Sequence, residues 1–149
     1  MQNSVLCRSR RRREGRVRGG TWPALLLAGW LLGVGLTAAM GLIHLRLWLD
    51  GYRYIPVIGV LFISNVVCSG LLAATMLMAP VRLRRRVAGI TSLFTAGTLV
   101  GLVLSLTVGL FGMHEVVGAP LVPTALIVES AGVLVLLASA LPGRSRKDQ

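Results

Sequence analysis

Apolar positions in this chain neither alternate nor keep to one helical face; they run on almost unbroken. Four stretches, about Trp22–Leu45, Pro56–Ala79, Val87–Gly112 and Pro120–Leu141, are apolar on every side. Each exceeds the roughly 20 residues that cross a ~30 Å hydrocarbon layer at about 1.5 Å per residue. Backbone groups have no water to bond with there, so such runs predict helices, and the lack of alternation argues against barrel strands. Short connections make successive helices antiparallel. The predicted fold is all-α, a four-transmembrane-helix up-down-up-down bundle over residues 21–142, with tails at 1–20 and 143–149.

Composition agrees with lipid as the solvent. Of 149 residues, 54% are hydrophobic and only 14% charged, too few charges to cover a soluble domain of this length. Their placement adds an orientation. Seven arginines precede the first stretch (Arg8, Arg10, Arg11, Arg12, Arg13, Arg16, Arg18), four lie between the second and third (Arg82, Arg84, Arg85, Arg86), and Arg144, Arg146 and Lys147 follow the fourth. Only Arg46 and Arg53 fall in the other connections. Fourteen basic residues against two place both termini in the cytoplasm by the positive-inside rule. A cleaved signal peptide ending near Ala38–Ala39 is the competing reading, but the apolar run continues past that point to Arg46 and Trp48. The arginines lack interleaved aromatics, so they predict contact with anionic lipid and not with nucleic acid.

Small residues recur every fourth position, as Gly29, Gly33, Thr37 and Gly41 in the first stretch and Gly97, Gly101, Ser105 and Gly109 in the third. Asn65, Ser69 and Ala73 share that spacing in the second. Such rows let helix backbones approach closely, within the bundle or across a homo-oligomer. The cysteines, Cys7 and Cys68, lie at different depths in this topology and cannot pair.

Candidate chemistry gathers toward the end away from the arginines. His44, Arg46, Asp50, Tyr52, Arg53, His114 and Glu115 form an outer-face cluster, in which Arg46 and Asp50 are spaced for an ion pair on a helical continuation. Glu129 lies nine residues after Pro120, about 13 Å along a helix axis. Asn65, Thr37 and Ser105 fall at a similar level, so each helix offers one polar side chain about a third of the way in. An ionised carboxylate is costly there, so Glu129 should face the interior and be either protonated or paired. It links helices with Asn65, or it carries a proton in transport, or it neutralises His44 or Arg46 just above it. Small multidrug exporters also combine four short helices with an essential carboxylate, but theirs is in the first helix. A haem would need axial ligands such as His44 and His114, which lie at the boundary with no second pair. No metal, cofactor or catalytic set is expected from these residues.

Two stretches carry a resemblance: His44–Trp48 with Gly51–Phe62 and Asn65, and Leu104–Gly112 with His114, Glu115 and Glu129. Together they resemble a family of small four-helix integral membrane proteins of actinobacterial type, with DoxX-like proteins similar in topology only. The resemblance implies the four-helix fold and a bacterial plasma membrane, and brings no activity, cofactor or site residue. The resulting expectation is a non-enzymatic accessory or interaction subunit with a membrane-protein partner. The alternative is a small proton-coupled transporter using Glu129.

Overall fold

A computed structural model describes residues 21–112 and 114–141; the basic tails, Cys7 with them, lie outside the described residues. The elements are α1 (Thr21–Leu49), a 3-10 turn (Tyr52–Tyr54), α2 (Ile58–Met78), α3 (Arg84–Thr107) and α4 (Val122–Ala140). All four α-helices are long and apolar enough to cross a membrane. The chain is an all-α membrane protein with four spans.

Helix ends differ from the apolar runs for local reasons. α1 continues four residues past Leu45, because Leu47 and Trp48 still find cover and Asp50–Gly51 supplies the stop, with Gly51 at φ 131. α2 starts at Ile58 rather than Pro56. Ile58 N–H bonds Pro56 O at 2.8 Å across Val57, whose φ 67 and ψ −55 form a strained three-residue turn. It ends before Pro80, which forces Ala79 into an extended conformation. α3 takes Arg84, Arg85 and Arg86 into its first turn, leaving 79–83 as the connection. It stops at Thr107, short of Gly112, where Gly109 turns left-handed at φ 80. A side chain on Gly109 would also meet the His114 imidazole at 2.6 Å, so both backbone and space demand glycine. Pro123 sits in the first turn of α4, where its missing N–H leaves no helical bond unmade.

The helices form an unequal ring. α1 packs along α2 and α4, and α4 packs along α3. α2 and α3 touch only slightly, and α2 and α4 lie diagonally with no close backbone approach. Gly41 of α1 lies where a Cβ would come 2.9 Å from Ser69 Cβ, and Gly33 where one would meet Leu136 Cδ2 at 2.9 Å. Gly132 of α4 similarly receives Thr95 at 3.3 Å. Gly33 and Gly41 of the α1 row therefore seat α4 and α2, whereas Gly29, earlier in the row, meets nothing within 4 Å. The glycines of α3 do not pack in this way: Gly97 and Gly101 have nothing within 4 Å. α3 instead turns Ala88, Thr91, Ser92 and Thr95 inward. A glycine face offers lipid only backbone already bonded within the helix, whereas a hydroxyl face exposes polar atoms, so the hydroxyls win the interior.

The two ends of the bundle differ in composition. The basic end carries the α2–α3 connection and closes on a cluster of Trp30, Met76, Ala79, Ala88 and Leu136. There the Arg84 guanidinium lies 5.4 Å from the Trp30 ring centre, and Arg85 donates to Leu141 O at 2.9 Å. The loop end carries the connections 50–57 and 108–121 and most of the remaining polar groups.

Candidate functional site

Three described residues are acidic, and all lie toward the loop end: Asp50, Glu115 and Glu129. Their surroundings separate them. Asp50 is exposed and pairs with Arg46 at 3.0 Å along the continued α1. Glu115 accepts a hydrogen bond from Tyr52 Oη at 2.7 Å, joining the two loop-end connections. Glu129 is 1% exposed, seven residues into α4, about 10 Å along the axis.

α1 supplies the partner of Glu129. His44 Nε2 lies 3.9 Å from Glu129 Oε1, and Glu129 Oε2 has no hydrogen-bond partner. One turn before His44, the Met40 carbonyl accepts from His44 Nδ1 at 2.9 Å. A carbonyl only accepts, so Nδ1 carries a proton and Nε2 of the neutral ring turns its lone pair toward the carboxyl group. α3 adds Thr98, whose hydroxyl donates to Thr95 O at 2.8 Å and lies 3.3 Å from the Met40 sulfur. From α2, the Phe62 ring centre lies 5.0 Å from that of His44 and 5.0 Å from that of Tyr52, with which it stacks. A continuous line of side chains thus runs from Glu115 through Tyr52, Phe62 and His44 to Glu129.

The other sequence-selected residues fall elsewhere. Thr37, Asn65 and Ser105 are buried, but each closes on its own helix: Thr37 on Gly33 O, Ser105 on Leu102 O, and Asn65 with Ser69. Asn65 does not link to Glu129, because α2 and α4 stand diagonally in the ring. Of the two neutralising partners considered for Glu129, His44 reaches it, whereas Arg46 faces outward to Asp50. Arg53 lies over the Tyr54 ring at 4.7 Å and donates to Tyr54 Oη. His114 is exposed and packs on Gly109. Among the described residues, no three His, Cys, Asp or Glu side chains come together.

Met40, Thr98 and Phe62 escaped sequence reading. Met40 carried a usable signal, being four before His44 and so on the same face. Thr98 and Phe62 are single residues in apolar helices, and only the ring order brings them in.

Outside the membrane-spanning segments, Tyr52 is the group whose proton affinity is altered. Burial first, then the Glu115 hydrogen bond and charge, push its phenol up to about 12. Tyr52 therefore stays a neutral donor to Glu115 at ordinary pH, and the loop-end connection stays joined.

Compared with family models, curated proteins and solved structures, the chain matches none. The resemblance to small actinobacterial-type membrane proteins therefore rests on the quoted residues alone.

Proposed function

We propose that this protein is a small proton-coupled transporter of the bacterial plasma membrane, with Glu129 as proton carrier and His44 as its partner. One observation carries the reading: a carboxyl group 1% exposed within a membrane span, with one oxygen unpartnered and a single titratable neighbour 3.9 Å away. A carboxylate in a lipid-embedded core is costly, so the side chain must be neutralised by whatever it binds. A fixed structural acid would close its hydrogen bonds on the protein, as Thr37, Asn65 and Ser105 do. Glu129 leaves an oxygen open. Glu129 lies seven residues into α4 from the loop end, which supports exchange with that side, while the apolar cluster around Trp30 and Leu136 closes the basic end. The basic end faces the cytoplasm and anionic lipid in this reading, on the arginine asymmetry.

The test is proton flux in vesicles reconstituted with purified protein and containing a pH-sensitive dye. Wild type carries flux under an imposed potential, and Glu129→Gln, of equal size and able to hydrogen-bond, folds and abolishes it. Flux unchanged in Glu129→Gln refutes the proposal.

A non-enzymatic accessory or interaction subunit is the second reading. Its supporting observation is the open α3 face, where Gly97 and Gly101 meet nothing within 4 Å. Cross-linking in native membranes with probes beside Gly97 tests it; a partner trapped there, together with flux absent from the isolated chain, would favour it.

A further inference from the structure

We infer that the α2–α3 connection holds one anionic phospholipid, its phosphate between Arg82 and Arg86 and an acyl chain along the lipid-facing side of α3. No residue of this site belongs to the Glu129 pair, so the inference stands apart from the transport reading.

The first ground is uncompensated charge. Arg82, Arg84, Arg85 and Arg86 fall within five positions, and the acids of the described residues, Asp50, Glu115 and Glu129, all lie toward the loop end. The first turn of α3 has no acidic residue and no side-chain cap, so its free N–H groups add to the positive field. Two of the arginines are committed elsewhere: Arg84 lies over the Trp30 ring at 5.4 Å, and Arg85 donates to Leu141 O at 2.9 Å. Neither contact brings a negative charge, and Arg84 Nε is buried without a hydrogen-bond partner. Arg82 and Arg86 are both exposed. Leu83 N–H bonds Pro80 O at 2.8 Å and Arg84 N–H bonds Val81 O at 3.4 Å, so the chain already coils before α3 and Arg82 stands one turn before Arg86. Like charges four residues apart repel. A phosphate between them reverses that, because guanidinium groups make strong charge-assisted hydrogen bonds to phosphate oxygens.

The second ground decides between a lipid and a free anion. Met78 and Val81, 84% and 77% exposed, flank Arg82 with apolar surface. Along α3, positions four, seven and eleven after Arg86 lie on its face; these are Ile90, Leu93 and Gly97. Ile90 and Leu93 are exposed, and Gly97 meets nothing within 4 Å. α2 scarcely touches α3 along this side. A phosphate at Arg86 therefore has an open apolar track leading into the membrane beneath it. A phospholipid fills both parts, whereas a free phosphate leaves the track unused. The seam ends in charge of one sign, which also disfavours a second copy of the chain there.

Native mass spectrometry of the full-length protein in non-ionic detergent, supplied with equal amounts of phosphatidylglycerol and phosphatidylcholine, tests the site. Wild type retains one phosphatidylglycerol in preference to phosphatidylcholine, and excess inorganic phosphate does not displace it. Arg82→Gln/Arg86→Gln weakens retention by roughly 30-fold, about fivefold for each arginine withdrawn from an anionic surface. Arg10→Gln/Arg12→Gln, which removes the same charge from the N-terminal tail, weakens it less. Equal retention of the two lipids overturns the inference, as does equal loss in the two double variants, which would reduce the effect to net charge. Displacement by inorganic phosphate also overturns it, by showing a free-anion site, and so does a lipid-free dimer in place of the lipid-bound monomer. The wild-type lipid preference and the phosphate competition need no variant, so misfolding of Arg82→Gln/Arg86→Gln leaves the inference exposed to refutation.

Discussion

Toward the basic end the bundle closes on Trp30, Met76, Ala79, Ala88 and Leu136, whereas toward the loop end its buried positions include Asn65, Ser69, Ser105 and Glu129. The same four helices build both halves, so the difference is in what each half must do. The apolar half is held by van der Waals packing, which replaces hydrophobic burial when lipid is the solvent. Its charged neighbours stay at the edge, Arg84 over Trp30 and Arg85 on the last carbonyl of the described chain. The loop half has polar side chains instead, yet nearly all of them close on their own helix and leave the interface to shape. Glu129 is the exception, reaching across to α1 and keeping an oxygen free. Stability and chemistry are thereby assigned to opposite ends.

The sharpest way to break that division is to truncate one buried side chain in each half. Leu136 is 1% exposed and presses on Gly33. Leu136→Ala should cost about 2–5 kcal/mol, as large-to-small changes in packed cores do. Ser105→Ala removes a hydroxyl bonded only to Leu102 O, and should cost no more than about 1 kcal/mol, the net worth of such a bond. Unfolding in mixed micelles of increasing SDS content measures both. A larger loss for Ser105→Ala would show that the polar half, not the apolar one, holds the bundle.

A smaller contrast separates the two glycine rows. Gly41→Val drives a side chain into Ser69 at 2.9 Å, and overpacking of this kind costs about 1–3 kcal/mol. Gly101→Val enters open space and should change stability by no more than about 0.5 kcal/mol, as exposed substitutions do. The same micelle titration reads both, and equal losses would mean that α3 buries its glycine face after all.

These contrasts show where sequence was enough. Span number and helical character follow from the length of the apolar runs, because lipid leaves the backbone no other way to satisfy its hydrogen bonds. Spacing predicted the close approaches at Gly33 and Gly41 of α1, though not the open Gly29, and the Arg46–Asp50 pair, all local to one helix. Spacing equally nominated a row in α3, and there Ser105 is buried but Gly97 and Gly101 stay open, since α3 has two small faces and only the helix-ring order decides which turns inward. The site was legible in part. Glu129 stood out as a lone acid in an apolar run, and His44 as one of its partners by depth. Asn65, at the same depth, is separated from Glu129 by the diagonal of the ring, which no one-dimensional pattern records. Thr98 and Phe62 became part of the site only through that ring.

The mildest probe of the comparison is the clasp over the loop half, where Tyr52 donates to Glu115. Its phenol is pushed up to about 12 from an ordinary value of 10.0, by burial first and by Glu115 second. The folded state thus holds this proton more tightly than the unfolded chain. The stabilisation is complete below pH 10 and is lost as pH rises through that value toward 12. The chain has two tyrosines, so a Tyr54→Phe background leaves Tyr52 as the sole phenolate reporter at 295 nm. Its midpoint should lie near 12, and Glu115→Gln should lower it only partway toward the ordinary value, because burial, the larger cause, remains. A midpoint already at the ordinary value would mean that Tyr52 stands free of Glu115 and that the loop half lies open above Phe62. The helices themselves should be indifferent to Glu115→Gln, since the bond joins two connections and touches no span. Unchanged helical circular dichroism alongside a moved Tyr52 midpoint would therefore separate the clasp from the packing that holds the basic end.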